Sequence, residues 1–316
     1  LWTVPYTFIA SASCALHCQA GVDFVDIDEA TSNISIDKLK AKLIIAKKKK
    51  CLPKVLVPVH FAGQPTQQKE IYNLSKKYKF KIIEDASHSL GAFHKKERVG
   101  SCKWSDLTVF SFHPVKPITT AEGGIITTNN KKYYEKLIKL RNHGISRNYN
   151  ELKIKSNWYY EQQLLGFNYR MNEIQASLGT SQLKKIKKFN DKRNMIANFY
   201  YTHLKKLPIK LPLINKENYS SFHLFVIKAD RNIIKRSYDK IYKDLIAKGL
   251  GVNLHYLPVH LHPVFKKLGF KKGDFPISEK HASSAFSIPV FYTLKNNELK
   301  KIVKILKKVF SKKYEK

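Results

Sequence analysis

Two short stretches of the chain carry groups that could do chemistry. In IIEDASH, Asp85 and His88 lie just past an apolar run; in SFHPVKPITTAEGG, Ser111, His113 and Lys116 lie just past another. Most lysines here stand among other lysines, but Lys116 is boxed between Val115 and Pro117. A lysine partly removed from water has its charged form destabilised, so its pKa falls and it becomes a usable amine nucleophile, as a Schiff base requires. An aspartate across the same cleft could hold a pyridinium nitrogen protonated, and hydroxyls and backbone amides could hold a phosphate. That is the division of labour pyridoxal phosphate needs. Taken alone, the residues leave plainer readings open. Asp85 could cap a helix, Lys116 could be an ordinary loop lysine, and the Ser111 hydroxyl could simply bond backbone.

The elements that must position these groups can be read from periodicity. Residues 21–28, 54–61, 80–85, 107–112 and 123–128 read as strands. Between them, 35–48 reads as a helix with Ser35 as N-cap, and 65–79 as an amphipathic helix opened by Pro65 and Thr66. Short apolar runs alternating with helices predict an α/β unit with a mostly parallel sheet covered on both faces. In such sheets ligands gather beyond the carboxyl ends of the strands, which is where Asp85 and Lys116 fall. Helix 131–141, a polar aromatic loop over 142–170 and a long helical pattern over 172–206 follow. The rhythm then changes: strand 222–229, helix 233–249, strand 250–256 and a terminal helix from about Asn296 predict a smaller α+β unit. The expected domains are 1–190 and 191–316.

Composition narrows the function classes. With 316 residues, 43% of them hydrophobic, the chain can bury a sizeable core. No apolar run approaches the roughly 18–20 residues that span a bilayer, and no secretory leader opens the chain; a cytoplasmic protein without membrane partners is expected. Cys14, Cys18, Cys51 and Cys102 complete no zinc pattern, so reduced thiols and no metal site are expected. The net charge of +34 could suit nucleic acid or an anionic surface. The lysines are nevertheless spread over many helix faces rather than gathered in one stripe with aromatics. No nucleic-acid partner is expected, and an anionic small substrate suits the charge equally well. The chain opens at Leu1 on what reads as a strand end, and its methionines are Met171 and Met195; a piece lacking its natural N-terminus is expected.

The wording of four motifs is more specific than any spacing. EDASHSLGA, SFHPVKPITTAEGG, RNHGI and GFNYRMNEIQASLGTSQLKKI, in that order, resemble the DegT/DnrJ/EryC1/StrS family of pyridoxal-phosphate-dependent nucleotide-sugar aminotransferases. The resemblance continues through LHYLPVHLHPVF and SIPVF. It implies the aspartate-aminotransferase-like fold, PLP-dependent transferase fold type I, and a homodimer with shared active sites. It implies Lys116 as the Schiff-base lysine and proton carrier, and Asp85 as the partner of the pyridine nitrogen. His88 then lies near the phenolic oxygen of the ring, Ser111 on the phosphate, and Phe8 on the ring face. Asn168 reaches the phosphate in the partner subunit. His143, Tyr256 and His260 fall in segments that line the sugar side, each of which could equally be a packed polar residue. Arg170 could serve structure or substrate. Within the family, the wording is nearest members that aminate C4 of a UDP-linked 4-keto-6-deoxy-N-acetyl sugar in pseudaminic acid biosynthesis, with glutamate as donor. The alternatives are another nucleotide 4-keto or 3-keto sugar, a non-catalytic remnant without the family's N-terminal phosphate turn, or a basic binding protein. A sister dehydration replaces the lysine by histidine, and Lys116 speaks against it.

Overall fold

The computed structural model describes residues 1–311. Its larger sheet has six strands in the order Asp23–Phe24, Trp2–Thr3, Val55–Leu56, Lys81–Asp85, Leu107–Ser111, Gly124–Thr127. The first five run parallel, and only Gly124–Thr127 is antiparallel to its neighbour. This is the expected mostly parallel α/β sheet. Helices Ile36–Lys48 and Gln68–Tyr78 pack beside it, and Leu39, Leu43, Ile71, Leu56 and Ile82 form one buried cluster. Ser35 caps the first helix as expected, its Oγ accepting from the Lys38 amide at 3.3 Å.

The second core gathers Ile196, Tyr200, Phe225, Ile227, Phe286 and Leu306. It is built on a three-stranded antiparallel sheet, Ile209–Lys210, Phe225–Ala229 and Ala285–Ile288, with helices Ile186–Leu204, Tyr238–Ala247 and Asn296–Val309. The expected division at residue 190 falls inside helix Ile186–Leu204. Among the described residues no helix is long and apolar enough to cross a membrane.

Several elements differ from the sequence-based expectation. The helix expected from residue 65 begins at Gln68. Tertiary bonds hold the preceding residues extended: the Thr66 amide donates to His60 Nδ1 at 3.0 Å, and the Asn33 and Asn218 side chains both donate to the Pro65 carbonyl. The helix expected from 233 begins at Tyr238, where the Ser237 hydroxyl accepts from the Lys240 amide. The pattern over 172–206 is two helices, Glu173–Leu183 and Ile186–Leu204. Residues 250–256 do not form a strand. Only Asn253 bridges to Ser287; Leu250 and Val252 pack into the second core, while Leu254 and Tyr256 pack against the cluster of the larger sheet.

Candidate active site

Strands Lys81–Asp85 and Leu107–Ser111 are parallel neighbours, with Asp85 opposite Val109. Their carboxyl ends therefore open on the same side; Asp85 ends the first strand, and the loops leaving the two strands carry His88 and Lys116. The Lys116 loop folds back on its own strand. The Thr120 amide donates to the Phe112 carbonyl at 3.0 Å, the Phe112 amide to Gly123 at 2.8 Å, and the Thr119 hydroxyl to Phe112 at 2.9 Å. Gly123 is at φ +154°, and a Cβ there would meet Thr120 Oγ1 at 2.3 Å; the close turn needs glycine. Pro117 and Ile118 are buried while Val115 is 65% exposed, so Lys116 stands at the border between core and solvent.

The Lys116 ammonium has no hydrogen-bond or ion-pair partner among the described residues. Burial lowers its pKa, and the Asp85 carboxylate partly opposes that shift. Asp85 itself is held from two sides. Ser11, on helix Ala10–His17, donates to Oδ2 at 2.5 Å, and Ser87 donates to Oδ1 from its hydroxyl at 2.6 Å and its amide at 3.1 Å. Ser11 is aligned in turn by Thr7, whose hydroxyl lies 3.1 Å away.

Three histidines surround the lysine electrostatically. His88 is 5% exposed, with its ring centroid 4.4 Å from that of His223. Its Nε2 lies 3.1 Å from the Tyr256 hydroxyl. His255 Nδ1 lies 2.8 Å from Ser287 Oγ. Burial is the first cause holding all three below the usual imidazole range. For His88 and His223 the shift is large, and His255 is lowered to about 4. The Lys116 ammonium adds to each shift. At neutral pH the rings are uncharged, so around Lys116 they supply polar surface without further positive charge. Burial likewise raises the Tyr256 hydroxyl well above the usual phenol range.

Of the residues named from sequence, Asp85, His88, Lys116 and Tyr256 come together here. Phe8 is 55% exposed, with its ring 6.0 Å from that of Tyr256. Ser111 ends its strand, and its hydroxyl accepts from the His113 amide at 3.3 Å. Asn168 is exposed and bridged to Asn142. Arg170 Nη1 donates to Asn142 Oδ1 at 2.6 Å, a bond that pins the loop. His143 is exposed; its backbone is bonded to Phe167 and Gln162. His260 is fully buried, with Nε2 2.9 Å from Glu279 Oε1 and its ring against Phe275. Ser11, Ser87, His223 and His255 were missed. Ser87 and His255 adjoin residues already named, which was the one available signal; nothing local marks Ser11 or His223.

The arrangement suits a pyridine ring bearing an aldehyde. An unpartnered, partly desolvated amine stands near a carboxylate fixed by two serines, and Nδ1 of both His88 and His223 is buried without a partner among the described residues. Comparisons with known proteins point the same way. Residues 2–307 match the DegT/DnrJ/EryC1/StrS aminotransferase family. A Campylobacter jejuni protein named UDP-4-amino-4,6-dideoxy-N-acetyl-beta-L-altrosamine transaminase is 40% identical over 270 residues, 84% of this chain and 67% of that protein. Among solved structures, Helicobacter pylori PseC, an aminotransferase involved in the biosynthesis of pseudoaminic acid, is 29% identical, with a TM-score of 0.86 over 98% of this chain and 79% of that one. A Streptococcus pneumoniae chain described as a sugar aminotransferase, in its PLP form, is 26% identical, with a TM-score of 0.86 over 98% of this chain and 80% of that one.

Proposed function

The chain belongs to the DegT/DnrJ/EryC1/StrS aminotransferase family, and on that premise we propose that it moves an amino group from glutamate to C4 of a UDP-linked 4-keto-6-deoxy-N-acetyl sugar. The observation that carries the reading is Lys116, an amine drawn from water and left unbonded beside Asp85. The substrate class rests on the C. jejuni and H. pylori relatives.

Pyridoxal phosphate, when bound, carries the amino group and supplies the electron sink that makes the adjacent carbon acidic. Lys116 is the amine that would hold its aldehyde carbon. Freed by the donor, Lys116 removes the proton at the α-carbon of glutamate, and in the return half it delivers one to C4 of the sugar. Asp85 would keep the ring nitrogen protonated, and Ser11 and Ser87 fix the carboxylate that would do so. His88, steadied by Tyr256, would meet the phenolic oxygen of the bound ring. Phe8 would cover the ring face, and Ser111 would help hold the phosphate. Tyr256 and His143 would serve the sugar side; His260, buried against Phe275 and bonded to Glu279, would not.

Asn168 of the partner subunit would complete the phosphate site. Trp158, Leu165, Phe167, Tyr169 and Ile174 are each more than half exposed, an apolar surface that suits a second copy of this chain.

The test is product analysis by mass spectrometry after incubation with pyridoxal phosphate, glutamate and a panel of UDP- and dTDP-linked keto sugars. Amination at C4 of the UDP-linked 4-keto-6-deoxy-N-acetyl sugar is expected. Preference for another sugar would move the substrate assignment, and amination of none would sink the reading.

A further inference from the structure

A second group of lysines is built on other elements. A cavity of about 40 Å³ is lined by Glu29, Lys210, Lys228, Arg231, Lys280 and His281. The elements that meet there are the loop after strand Asp23–Phe24, two strands of the smaller sheet and helix Pro276–Ala282. Lys228 lies in strand Phe225–Ala229 and is only 8% exposed. Its ammonium donates to the Glu29 carbonyl, which uses one of its three N–H groups. One oxygen of the Glu29 carboxylate serves both Lys210, at 3.4 Å, and Lys280, at 3.1 Å. The neighbouring acids are engaged locally: Asp28 accepts from Thr31, and Asp230, which also lines the cavity, accepts from the Asn232 amide. Arg231 donates to the Arg236 carbonyl.

His281 adds an unmet group. It is 4% exposed, with Nδ1 3.3 Å from Ser32 Oγ, and its Nε2 has no partner among the described residues. Burial, and then the Lys228 charge, keep the ring neutral. With the Ser32 hydroxyl donating to Nδ1, Nε2 carries the proton and is a free donor.

We propose that this cavity binds a small oxyanion, a phosphate or sulfate group, through Lys210, Lys228, Lys280 and His281 Nε2. Donors outnumber acceptors, and the acceptors present are already shared. A cation would be repelled, and a neutral ligand would leave the lysines uncompensated. The volume is about three times the ~10–15 Å³ that one water needs. Without ligand, Lys228 is held at about 8, so affinity falls as pH climbs past that value. Bound there, the anion ties the loop at Glu29 to helix Pro276–Ala282 and stabilises the folded chain by mass action.

The ligand is either the free anion or the phosphoryl end of a small ester, and the test separates them. Uptake of inorganic phosphate and of glycerol 3-phosphate by the cofactor-loaded protein is measured by calorimetry at constant ionic strength and pH 7. Saturable uptake is expected, and Lys210→Gln with Lys280→Gln, both exposed positions, should weaken it about tenfold or more. Equal affinity for the two probes assigns the free anion, and tighter glycerol 3-phosphate binding assigns the ester. Absence of saturable uptake of either probe, or uptake undiminished in the double variant, overturns the proposal. Lys228→Met should abolish uptake, and the exposed pair decides the matter if that variant does not fold.

Discussion

Lys116 and Lys228 are both drawn out of water, yet they are treated differently. Lys228 is set in a strand, its ammonium bonded to the Glu29 carbonyl and surrounded by charged groups. Lys116 hangs in a loop at a strand end, bonded to nothing, beside a carboxylate and three histidines kept neutral by burial. Burial lowers the pKa of each, Lys228 to about 8. A lowered pKa therefore does not by itself make a nucleophile. The amine must also be left without an acceptor and open to the ligand, and only Lys116 meets that condition. Lys228 is a fixed positive charge built into a wall.

The contrast can be broken most sharply by removing each amine. Lys116→Ala should cut transamination by about a thousandfold or more and remove the visible absorbance of the bound cofactor. Lys228→Met should leave both within about threefold, because Lys228 touches neither Asp85 nor the histidines. Equal losses in the two variants would erase the distinction. Asp85→Asn should cost about a hundred- to a thousandfold in rate while the cofactor still binds, measured as kcat beside an absorbance titration.

The buried charge of Lys228 also has a pH signature. Its ordinary value of 10.5 falls to about 8 in the folded chain. Between those values the unfolded chain binds more protons, so stability rises with pH across that window. The rise amounts to about 3 kcal/mol. Urea unfolding of wild type and Lys228→Met in chloride buffer should show that difference, and parallel profiles would contradict it.

Smaller effects sharpen the Lys116 side. Ser11→Ala removes a bond to a charged carboxylate worth about 1.5–3 kcal/mol; kcat should drop about tenfold with KM for glutamate little changed. His255 is held at about 4 against an ordinary 6.5, so below 6.5 the unfolded chain binds more protons and stability is lost as pH falls toward 4. His255→Gln should make that acid limb shallower, as read by the fluorescence midpoint between pH 6.5 and 4.

Much of the site was legible because its chemistry sits at strand ends. An apolar run followed at once by Asp85, or by Ser111 and Lys116, marks where a parallel sheet delivers polar groups to one crevice. Ser11, His223 and His255 left little such mark. Ser11 and Asp85 are 74 positions apart, and their bond depends on the fold bringing the start of helix Ala10–His17 to the end of strand Lys81–Asp85. The helix expected from residue 65 starts late for the same reason, since the Pro65 carbonyl and the Thr66 amide are claimed by residues far away in sequence. Local propensity carries no information about such claims.

His260 shows the limit in one residue. Its motif places it beside Tyr256, but the fold buries it against Phe275 and bonds it to Glu279, while Tyr256 reaches His88. By itself the sequence determined the alternating α/β pattern, the parallel sheet and the family wording around Asp85 and Lys116, because periodicity and motif order are properties of the chain. Which lysine stayed unbonded, which histidines lost their charge and which carboxylate two serines clamp were decided only in the tertiary structure. Desolvation and hydrogen bonding depend on neighbours that folding brings from distant parts of the chain.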